Sequence, residues 1–530
     1  MASIRSDGDE SKSHDAMENR WTEGLNPQQA EAVLSDHRDG AVLVLAGAGS
    51  GKTTVLTRRI ARLCMETLAA TGKKETTGLP GDVAGKETDK AGIGILALTF
   101  TKDAAHEMEE RLRSLLGPIF PASDFPRIGT FHAFAFGLIR SGSAGNPNWR
   151  RLGFARSPGL VDAAQRRAWL VGARKEIAPE VPLDRLEDWL AHPFEDRNPS
   201  EGDGVDLRTR LRRLFRSHLL ETGAVAFDDM VALALRLLRE CPDVLADFRS
   251  RTAYVLVDEF QDTSRDQLEL VRMLMGESRN LFLVGDDDQA IYGFRGADPG
   301  NIDAALESFP GLRILKLETN YRSTQPIVAY ANSVFRDKPR RLRKQLRVGR
   351  IPKAFEGGPA PGGPTAAGPA PVRKIIHAQG ADQAGWMAEE MRRLHRQEGL
   401  RWDEMAILFR LNILEPYYRA LVERMVGPEA AKQVILSTVH GAKGLEYPAV
   451  FFMGLEDGIL PYRRRGEPLP PERLAEEKRI FYVGVTRAQR FLYLCAARKR
   501  VLRGKQVAAD VSPFLHGPLM AALRKLGRRE

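Results

Sequence analysis

Short apolar runs alternate with stretches of helical periodicity along most of the chain. A first set of runs lies at residues 41–45, 95–99, 254–257, 281–284 and 312–317. A second set lies at residues 374–377, 405–409, 434–438, 449–453 and 491–496. Strands that alternate with helices are typical of parallel sheets covered by helices. The pattern therefore predicts an α/β protein with two such units.

The stretch between His132 and Tyr254 interrupts this alternation. It has little strand character, but apolar residues recur with a helical period at residues 207–215 and 230–238. We expect a helical insertion in the first unit. The predicted boundaries are residues 23–132 and 254–325 for the first unit, 133–253 for the insertion and 326–500 for the second unit.

Four segments lack the pattern of a packed element. Residues 1–22 are polar with mixed charge and predict a disordered tail. Residues 71–92 are rich in Gly, Lys, Thr and Asp, and residues 357–371 contain only Gly, Pro, Ala and Thr, so both predict flexible inserts. Residues 501–530 predict a short basic tail.

Charge and length narrow the function classes. A chain of 530 residues can form two to four domains with a sizeable core. Lys and Arg number 79 against 69 Asp and Glu, a net charge of +10. This excess suggests a polyanionic partner. The alternative is that basic runs such as residues 338–344 and 498–505 only solvate helices.

Cysteine usage and apolar runs indicate the compartment. Cys64, Cys241 and Cys495 are isolated, so neither a disulfide framework nor a metal cluster is indicated. No apolar run is long enough to span a membrane, and the N-terminus does not resemble a signal peptide. We expect a soluble, cytoplasmic protein without a membrane partner.

A glycine-rich segment carries the first chemistry. It follows a strand-like run and precedes a helical pattern, which is the arrangement of a phosphate loop, although alanine opens it in place of glycine. Lys52 is expected to reach the β- and γ-phosphates of ATP, and the Thr53 hydroxyl to ligate Mg²⁺. The expected nucleotide-binding residues of this loop are Ala46, Gly47, Ala48, Gly49, Ser50, Gly51, Lys52, Thr53 and Thr54.

Two carboxylates supply the second half of a hydrolytic site. Asp258 and Glu259 follow the apolar run at residues 254–257, so they are expected at the carboxyl end of a buried strand. One carboxylate can hold the metal while the other activates a water for attack on the γ-phosphate. We assign Asp258 to the metal and Glu259 to the water.

These two motifs and seven others, in order over roughly residues 25–496, resemble the UvrD/Rep/PcrA-type helicases of superfamily 1. The resemblance implies two RecA-like P-loop motor domains and an ATP hydrolase that acts as a DNA helicase. For the base and sugar of ATP, it implies that Gln29 reads adenine with both atoms of its amide. It implies further that Tyr321 stacks on the base and that Glu446 approaches the ribose.

The resemblance also implies the groups that act on the γ-phosphate. Gln289, in the segment at residues 284–296, would sense the γ-phosphate. Arg322 would approach it, and Arg487, in the segment at residues 479–488, would stabilise the transferring phosphoryl group. A permanently charged planar guanidinium suits that task.

The resemblance implies DNA contacts from both units. Hydroxyls would bind phosphates and aromatic rings would stack on bases. The chain departs from the family where Lys102-Asp103 replaces Asn-Lys, and where Phe294 replaces a tryptophan and offers a smaller stacking area. The expected nucleic-acid contacts are Thr99, Phe100, Thr101, Thr130, His132, Phe294, Arg295, Thr438 and His440. A core position is the alternative for Phe131.

The second unit departs from the family in one connection. Only residues 413–433 separate the run at 405–409 from the Thr438/His440 motif, enough for one helix at residues 415–426 and a turn. Family members commonly carry an accessory domain there. We expect that domain to be missing, so that translocation on single strands is a safer inference than processive unwinding.

Three functions remain open on this basis. The first is an ATP-dependent 3′-to-5′ translocase or helicase on single-stranded or tailed DNA, in repair, recombination or defence. The second is a DNA-stimulated ATPase that serves as a subunit beside a nuclease or anti-phage partner, for instance of the Gabija type. The third is a protein-interaction switch without nucleic acid, which the paired stacking and hydroxyl segments disfavour.

Overall fold

The computed structural model describes most of the chain. The described residues are 20–35, 40–70, 94–118, 120–143, 145–190, 207–275, 280–336, 342–349, 372–463, 469–502 and 505–515. Residues 1–19 of the expected tail, the two expected inserts at 71–92 and 357–371, and residues 516–530 of the basic tail lie outside this range. The described parts of both expected tails are folded, so those predictions are wrong there: Trp21 is buried in a core of the first unit, Lys505–Ala508 form a strand, and Phe514 and Leu515 are buried in a core of the second unit.

The first unit is built on a parallel sheet. Its strands are β1 (Val42–Ala46), β2 (Ile95–Thr99), β3 (Arg127–Thr130), β4 (Tyr254–Val257), β5 (Leu281–Gly285) and β6 (Arg313–Leu317), in the order β6-β1-β5-β4-β2-β3. The five strands expected from the apolar runs are confirmed. The edge strand β3 was not predicted.

The sheet is buried on both faces, which explains the continuous apolar runs. Alternate residues of β1 point to opposite cores: Leu43 and Leu45 join one cluster, and Val42 and Val44 join the other. The covering helices of this unit are Pro27–Leu34, Lys52–Ala70, Lys102–Leu116, Phe131–Arg140, Arg265–Met275 and Asn301–Ser308.

The segment between β3 and β4 is mainly helical, as the periodicity indicates. Its helices are Asn148–Arg151, Ala163–Ile177, Leu183–Leu190, Leu207–Thr222, Met230–Glu240 and Pro242–Arg251, with short pairs Gly142–Ser143/Asn146–Pro147 and Gly159–Leu160/Ala224–Val225. Leu170, Leu211 and Phe215 belong to a small core of their own. Helix Met230–Glu240 instead contributes to a core of the main sheet.

The second unit repeats the architecture. Its strands are β7 (Val372–Gln379), β8 (Met405–Phe409), β9 (Ile435–Thr438), β10 (Tyr447–Phe452), β11 (Ala488–Leu502) and β12 (Lys505–Ala508). Strands β7-β11-β10-β8-β9 form a parallel sheet, and β12 pairs antiparallel with β11. Its helices are Gln325–Val334, Gly380–Gln397, Glu415–Met425, Pro428–Gln433 and Pro471–Val485.

The connection at residues 413–433 differs in detail from the expectation of one helix and a turn. It forms two helices, Glu415–Met425 and Pro428–Gln433. Gly427, with a φ of 131°, separates them, and Pro428 opens the second. Proline fits the first turn of a helix because it lacks the N–H that would have no partner there.

No membrane crossing is available from the helices of the described ranges, since none of them is both long and apolar enough.

Candidate functional site

The carboxyl ends of β1, β4 and β5 meet at one edge of the first sheet, since these strands are parallel neighbours. The phosphate loop leaves β1, and helix Lys52–Ala70 starts within it. Gly49 and Gly51 have φ values of +65° and +83°, which favour glycine. A Cβ atom at Gly49 would lie 2.5 Å from the Cβ of Arg322, so the loop also needs glycine for close approach.

Lys52 and Glu259 face each other across this edge. The Lys52 Nζ lies 3.6 Å from Glu259 Oε1. Glu259 has φ 48° and ψ 42°, and it is the one residue other than glycine with positive φ in the described part of the chain. A left-handed conformation costs a side-chain-bearing residue free energy and recurs at functional sites. It turns the carboxylate toward the phosphate loop.

The two adjacent carboxylates have opposite pKa shifts. Burial, and then the charge of Glu259, raise the pKa of Asp258 to about 7. Burial also acts to raise the pKa of Glu259, but Lys52, Lys443 and a hydrogen bond from Gln261 outweigh it and lower that pKa to about 2. Paired carboxyl groups with separated pKa values suit different chemical roles.

Thr53 and Asp258 offer the donor set that Mg²⁺ prefers. Thr53 is partly exposed at the start of helix Lys52–Ala70, and Asp258 is 5% exposed at the tip of β4. A hydroxyl and a carboxylate are hard oxygen donors, which fit Mg²⁺ beside phosphate oxygens. When bound, the metal would neutralise charge on those oxygens.

Gln261 is a site residue that the sequence motifs did not single out. Its Nε2 donates to Glu259 Oε2, and its Oε1 accepts a hydrogen bond of 2.8 Å from the backbone N–H of Asp286. It thereby links the tips of β4 and β5.

Arg487 reaches Gln289 from the second unit. Its side chain is buried, with Nη2 3.0 Å from Gln289 Oε1 and Nη1 3.0 Å from the Leu445 carbonyl oxygen. Burial, and then the charge of Arg322, lower the pKa of Arg487 to about 9. A cation in this environment would be stabilised by negative charge that develops beside it. The Gln289 Nε2 in turn donates to Asp286 Oδ2 at 2.5 Å.

Arg322 and Glu446 form a second link between the units. The Nε of Arg322 donates to Glu446 Oε2, and its Nη1 donates to the Thr486 carbonyl oxygen at 3.1 Å. Gln489 Nε2 holds the other Glu446 oxygen at 2.9 Å. The expected γ-phosphate and ribose contacts are thus paired with each other in this structure.

The expected base-binding end is a compact hydrogen-bonded group. Gln29 is buried, and its Nε2 donates to the Ser50 carbonyl oxygen at 2.9 Å while its Oε1 accepts from Asn26 N at 3.1 Å. Asn26 Nδ2 donates to the Tyr321 hydroxyl at 2.7 Å. Each Gln29 amide atom keeps capacity for one more hydrogen bond. Asn26 is a second residue here that the motifs did not single out.

Several of the expected nucleic-acid contacts form an aromatic cluster. Phe100 stacks on Tyr292, with ring centroids 5.2 Å apart, and Phe294 meets His440 edge to face at 5.3 Å. Arg295 lies over the Phe294 ring at 5.6 Å. Phe294 is 65% exposed, so its face is available for stacking. We call Phe100, Tyr292, Phe294 and His440 the aromatic cluster.

Thr101, Thr130 and Thr438 use their side-chain oxygens locally. Thr101 and Thr130 cap helices by accepting from Ala104 N and Ala133 N, both at 3.1 Å. Thr438 accepts from Gly441 N at 3.1 Å. The hydroxyl protons stay available, and a helix N-terminus favours a phosphate.

Thr99 requires a correction. It ends β2 with no exposed surface, and its hydroxyl has no hydrogen-bond partner among the described residues. A hydroxyl enclosed in this way cannot reach a DNA phosphate, so the expected contact is wrong for this structure.

Phe131 occupies the core position that was its alternative, since its side chain is 1% exposed. His132 is half-buried and stacks on Phe227 at 4.0 Å.

Lys443 connects the nucleotide end to the aromatic cluster. Its Nζ pairs with Asp262, donates to the Gln289 carbonyl oxygen at 2.8 Å and lies 4.7 Å from the Tyr292 ring centroid. The motif at residues 434–447 contained this lysine, but its spacing could not indicate partners on the other unit.

Two basic side chains contradict the solvating role considered for their segments. Lys344 has a side chain that is 1% exposed and pairs with Asp286 at 2.8 Å and Asp288 at 2.9 Å. Arg500 is buried, with Nη2 2.9 Å from Glu456 Oε1. Both are internal ion pairs, because a buried charge needs a partner.

Comparisons with known proteins agree with the geometry. Residues 25–152 and 195–310 match the family model of the UvrD/REP helicase N-terminal domain, and residues 419–499 match that of the UvrD-like helicase C-terminal domain. A probable DNA helicase of Mycoplasma pneumoniae is 31% identical over 486 residues, which are 89% of this chain and 83% of that protein.

The ATP-dependent DNA helicase PcrA of Bacillus subtilis is 32% identical over 407 residues, covering 74% of this chain. The chain spans 48% of that protein, about half its length. PcrA of Leuconostoc citreum is 26% identical over 673 aligned positions, with 93% of this chain and 84% of that protein covered. The motifs, the two parallel sheets and these matches together show that the chain belongs to the UvrD/Rep family of ATP-hydrolysing DNA helicases.

Proposed function

We propose that this chain is a motor that uses ATP hydrolysis to move 3′-to-5′ along single-stranded DNA. The single observation that carries the proposal is the position of Lys443. This lysine contacts the backbone of Gln289 at the nucleotide end and the Tyr292 ring of the aromatic cluster. A change at the cleft would therefore reach the proposed stacking surface through one side chain.

In this proposal the hydrolytic roles are divided between the units. Lys52 and Glu259 belong to the first, with Glu259 activating the attacking water, and Arg487 of the second stabilises charge on the transferring phosphoryl group. The low pKa of Glu259 keeps it ionised, as a base requires. The pairing of Arg487 with Gln289 supports a cleft that closes around the nucleotide.

Phosphate and base contacts would alternate between the units as the cleft opens and closes. Phe100 and Phe294 lie on the first unit, whereas His440 lies on the second, yet all three rings border a common neighbour, Tyr292, with centroids at 5.2, 6.1 and 6.4 Å. Base stacking contributes about 1–3 kcal/mol per base. We propose Mg²⁺ as the metal, held by Thr53 and Asp258.

The test compares ATP hydrolysis with and without single-stranded DNA, and unwinding of 3′-tailed with 5′-tailed duplexes. We expect DNA to raise the ATPase rate severalfold, with binding that weakens steeply as salt rises. We also expect any duplex opening to need the 3′ tail. An ATPase rate that ignores DNA at low salt would contradict the motor proposal, and a preference for the 5′ tail would contradict the direction.

The short connection at residues 413–433 favours a second candidate. Its two helices pack against the second sheet, where Tyr418, Leu421 and Val422 are buried in the core. A segment used in this way does not form a separate domain. The chain would then be a DNA-stimulated ATPase subunit beside a nuclease or anti-phage partner, and it would hydrolyse ATP on DNA without opening duplex by itself.

A further inference from the structure

Residues 342–349 lie across the nucleotide end of the first sheet, and we call them the strap. Arg347 and Val348 pair as a short parallel ribbon with Thr319 and Asn320. Along this ribbon the strap approaches the phosphate loop of the proposed site. A Cβ atom at Gly47 of the phosphate loop would lie 2.1 Å from Leu346 Cδ2.

The strap is anchored on the second unit. Asn332 holds the Leu346 backbone on both sides, accepting from its N–H at 2.9 Å and donating to its carbonyl oxygen at 2.8 Å. Asn332 lies on helix Gln325–Val334, whose Ile327 and Tyr330 are in a core of the second sheet. The strap thus joins that helix to the first sheet.

Lys344 is the charged contact of the strap. Its Nζ lies 2.8 Å from Asp286 Oδ1 and 2.9 Å from Asp288 Oδ2, and it also pairs with Asp287. Both the lysine and Asp286 are almost wholly enclosed, at 1% and 0% side-chain exposure. Buried carboxylates are costly without a cation. The lysine therefore determines how these carboxylates are placed.

Asp286 connects Lys344 to the proposed catalytic groups. Its Oδ1 faces Lys344, and its Oδ2 accepts from Gln289 Nε2 at 2.5 Å. An ionised carboxylate only accepts hydrogen bonds, so the amide must turn its NH₂ toward Asp286. The Gln289 oxygen is then presented to Arg487, whose Nη2 lies 3.0 Å away.

We propose that Lys344 is a positioning residue for ATP hydrolysis. It holds Asp286, Asp286 orients the Gln289 amide, and the amide places Arg487. The inference rests on the proposed function only where that function assigns Gln289 and Arg487 to hydrolysis. Lys344 lies 57 positions along the chain from its carboxylate partner Asp287. It belongs to none of the motifs.

The experiment is a double-mutant cycle. Lys344→Met and Gln289→Ala are made singly and together, and single-turnover ATP hydrolysis is followed with and without single-stranded DNA. Lys316→Met is the matched control, because Lys316 also contacts the strap, donating to the Arg343 carbonyl oxygen at 3.0 Å. Basal hydrolysis makes the cycle readable even if DNA has no effect, which would contradict only the proposed function.

We expect Lys344→Met to lower the single-turnover rate constant about tenfold to hundredfold, since misplacement by about 1 Å can have that effect. The ATP concentration that half-saturates this rate should change less than about threefold. In the Gln289→Ala background the same change should have almost no further effect. The control should keep the parental rate. A merely structural lysine would reduce the active fraction by the same factor in both backgrounds, and such additive losses would overturn the proposal.

A second variant covers failure of Lys344→Met to fold. Lys344→Arg keeps the positive charge among the carboxylates, but a planar fork cannot place one nitrogen against all three. We expect a severalfold slower reaction, an unchanged unfolding midpoint and the same loss of effect in the Gln289→Ala background. A parental rate in Lys344→Arg, or an additive loss, would overturn the proposal. So would an unaltered rate in Gln289→Ala alone.

Discussion

At the scale of single residues, the left-handed backbone of Glu259 is the clearest mark of function. No glycine occupies this position, although glycine would relieve the strain. The carboxylate is held by Lys52 and Gln261. Strain that persists beside a phosphate loop is consistent with a carboxylate needed at one defined place.

We predict that Glu259→Gln binds ATP as the parent does but hydrolyses it at least about a hundredfold more slowly, because an amide cannot accept the proton of the attacking water. Binding is checked with a fluorescent nucleotide and turnover by phosphate release. Glu66→Gln is the control, since Glu66 pairs with Arg62 on the helix that follows the phosphate loop. Parental turnover in Glu259→Gln would show that another group activates the water.

His440 gives a prediction about pH. Burial, and then the cations Arg410, Lys443 and Arg295, lower its pKa to about 4. The unfolded chain, with an ordinary histidine pKa near 6.5, binds more protons in the window between these values. The contribution of His440 to folding stability is therefore complete above about pH 6.5 and is lost as the pH falls toward 4.

The expected outcome is that His440→Gln loses less stability than the parent between pH 7.5 and pH 5. Urea unfolding midpoints of both proteins at the two pH values measure this difference. His132, whose pKa burial also lowers, is present in both proteins and cancels. Equal pH slopes for parent and variant would mean that His440 titrates normally.

The site residues that could be predicted from sequence were those whose functional partners lie in the same loop. The phosphate loop and the Asp258-Glu259 pair each occupy a strand end, so local spacing was enough to locate them. Lys344 could not be assigned, because its partners are distant in sequence and the surrounding basic run looks like a solvated surface. Thr99 failed for a related reason: the sequence does not show that β2 extends through it and encloses its hydroxyl.

At the scale of elements, the aromatic cluster shows how loops from different strands combine. Phe100 follows β2, Phe294 follows β5 and His440 follows β9. All three strand ends therefore contribute to one surface beside the cleft. Phe294 is the most exposed of the three, so its ring is the one best placed to stack on a base.

We predict that Phe294→Ala raises the DNA concentration needed for half-maximal ATPase stimulation about tenfold, within the range for loss of one stacked base. Basal hydrolysis should change by less than about twofold, because the ring does not contact the nucleotide end. The measurement is a DNA titration of ATPase rate. Val501→Ala serves as the control, since Val501 is 59% exposed on β11. Equal effects of the two changes would remove Phe294 from the DNA surface.

Element prediction was accurate wherever an apolar run was long and buried. Strands β2, β4 and β8 were placed to the residue, and the other predicted strands were found with shifted ends. The largest shift is in β11, which spans Ala488–Leu502 where residues 491–496 were predicted. Strand β3 was missed because Arg127–Thr130 has Ile128 as its one large apolar side chain. An edge strand is covered less than a central one, so its sequence carries a weaker signal.

At the scale of the whole molecule, the two sheets are joined by polar contacts and by Ile291 of the first unit, which is buried in a core of the second sheet. Arg487 with Gln289, Lys443 with Asp262, and Arg322 with Glu446 each join one unit to the other. The motifs predicted most of these residues but not their pairing, because pairing across the cleft depends on how two sheets that are distant in sequence meet. Such an arrangement agrees with a motor whose units move relative to each other.

The last prediction concerns the connection at residues 413–433. Its two helices are part of the second sheet's core, so they provide no separate module that could contact duplex DNA. We therefore expect the purified monomer to translocate on single strands but to open a 3′-tailed duplex poorly under single-turnover conditions. Translocation is followed by release of a label from the strand end, and a blunt duplex is the control for tail-independent opening. Efficient, processive opening by the monomer would show that the helices between β3 and β4 suffice to separate strands, and the partner-dependent alternative would then be abandoned.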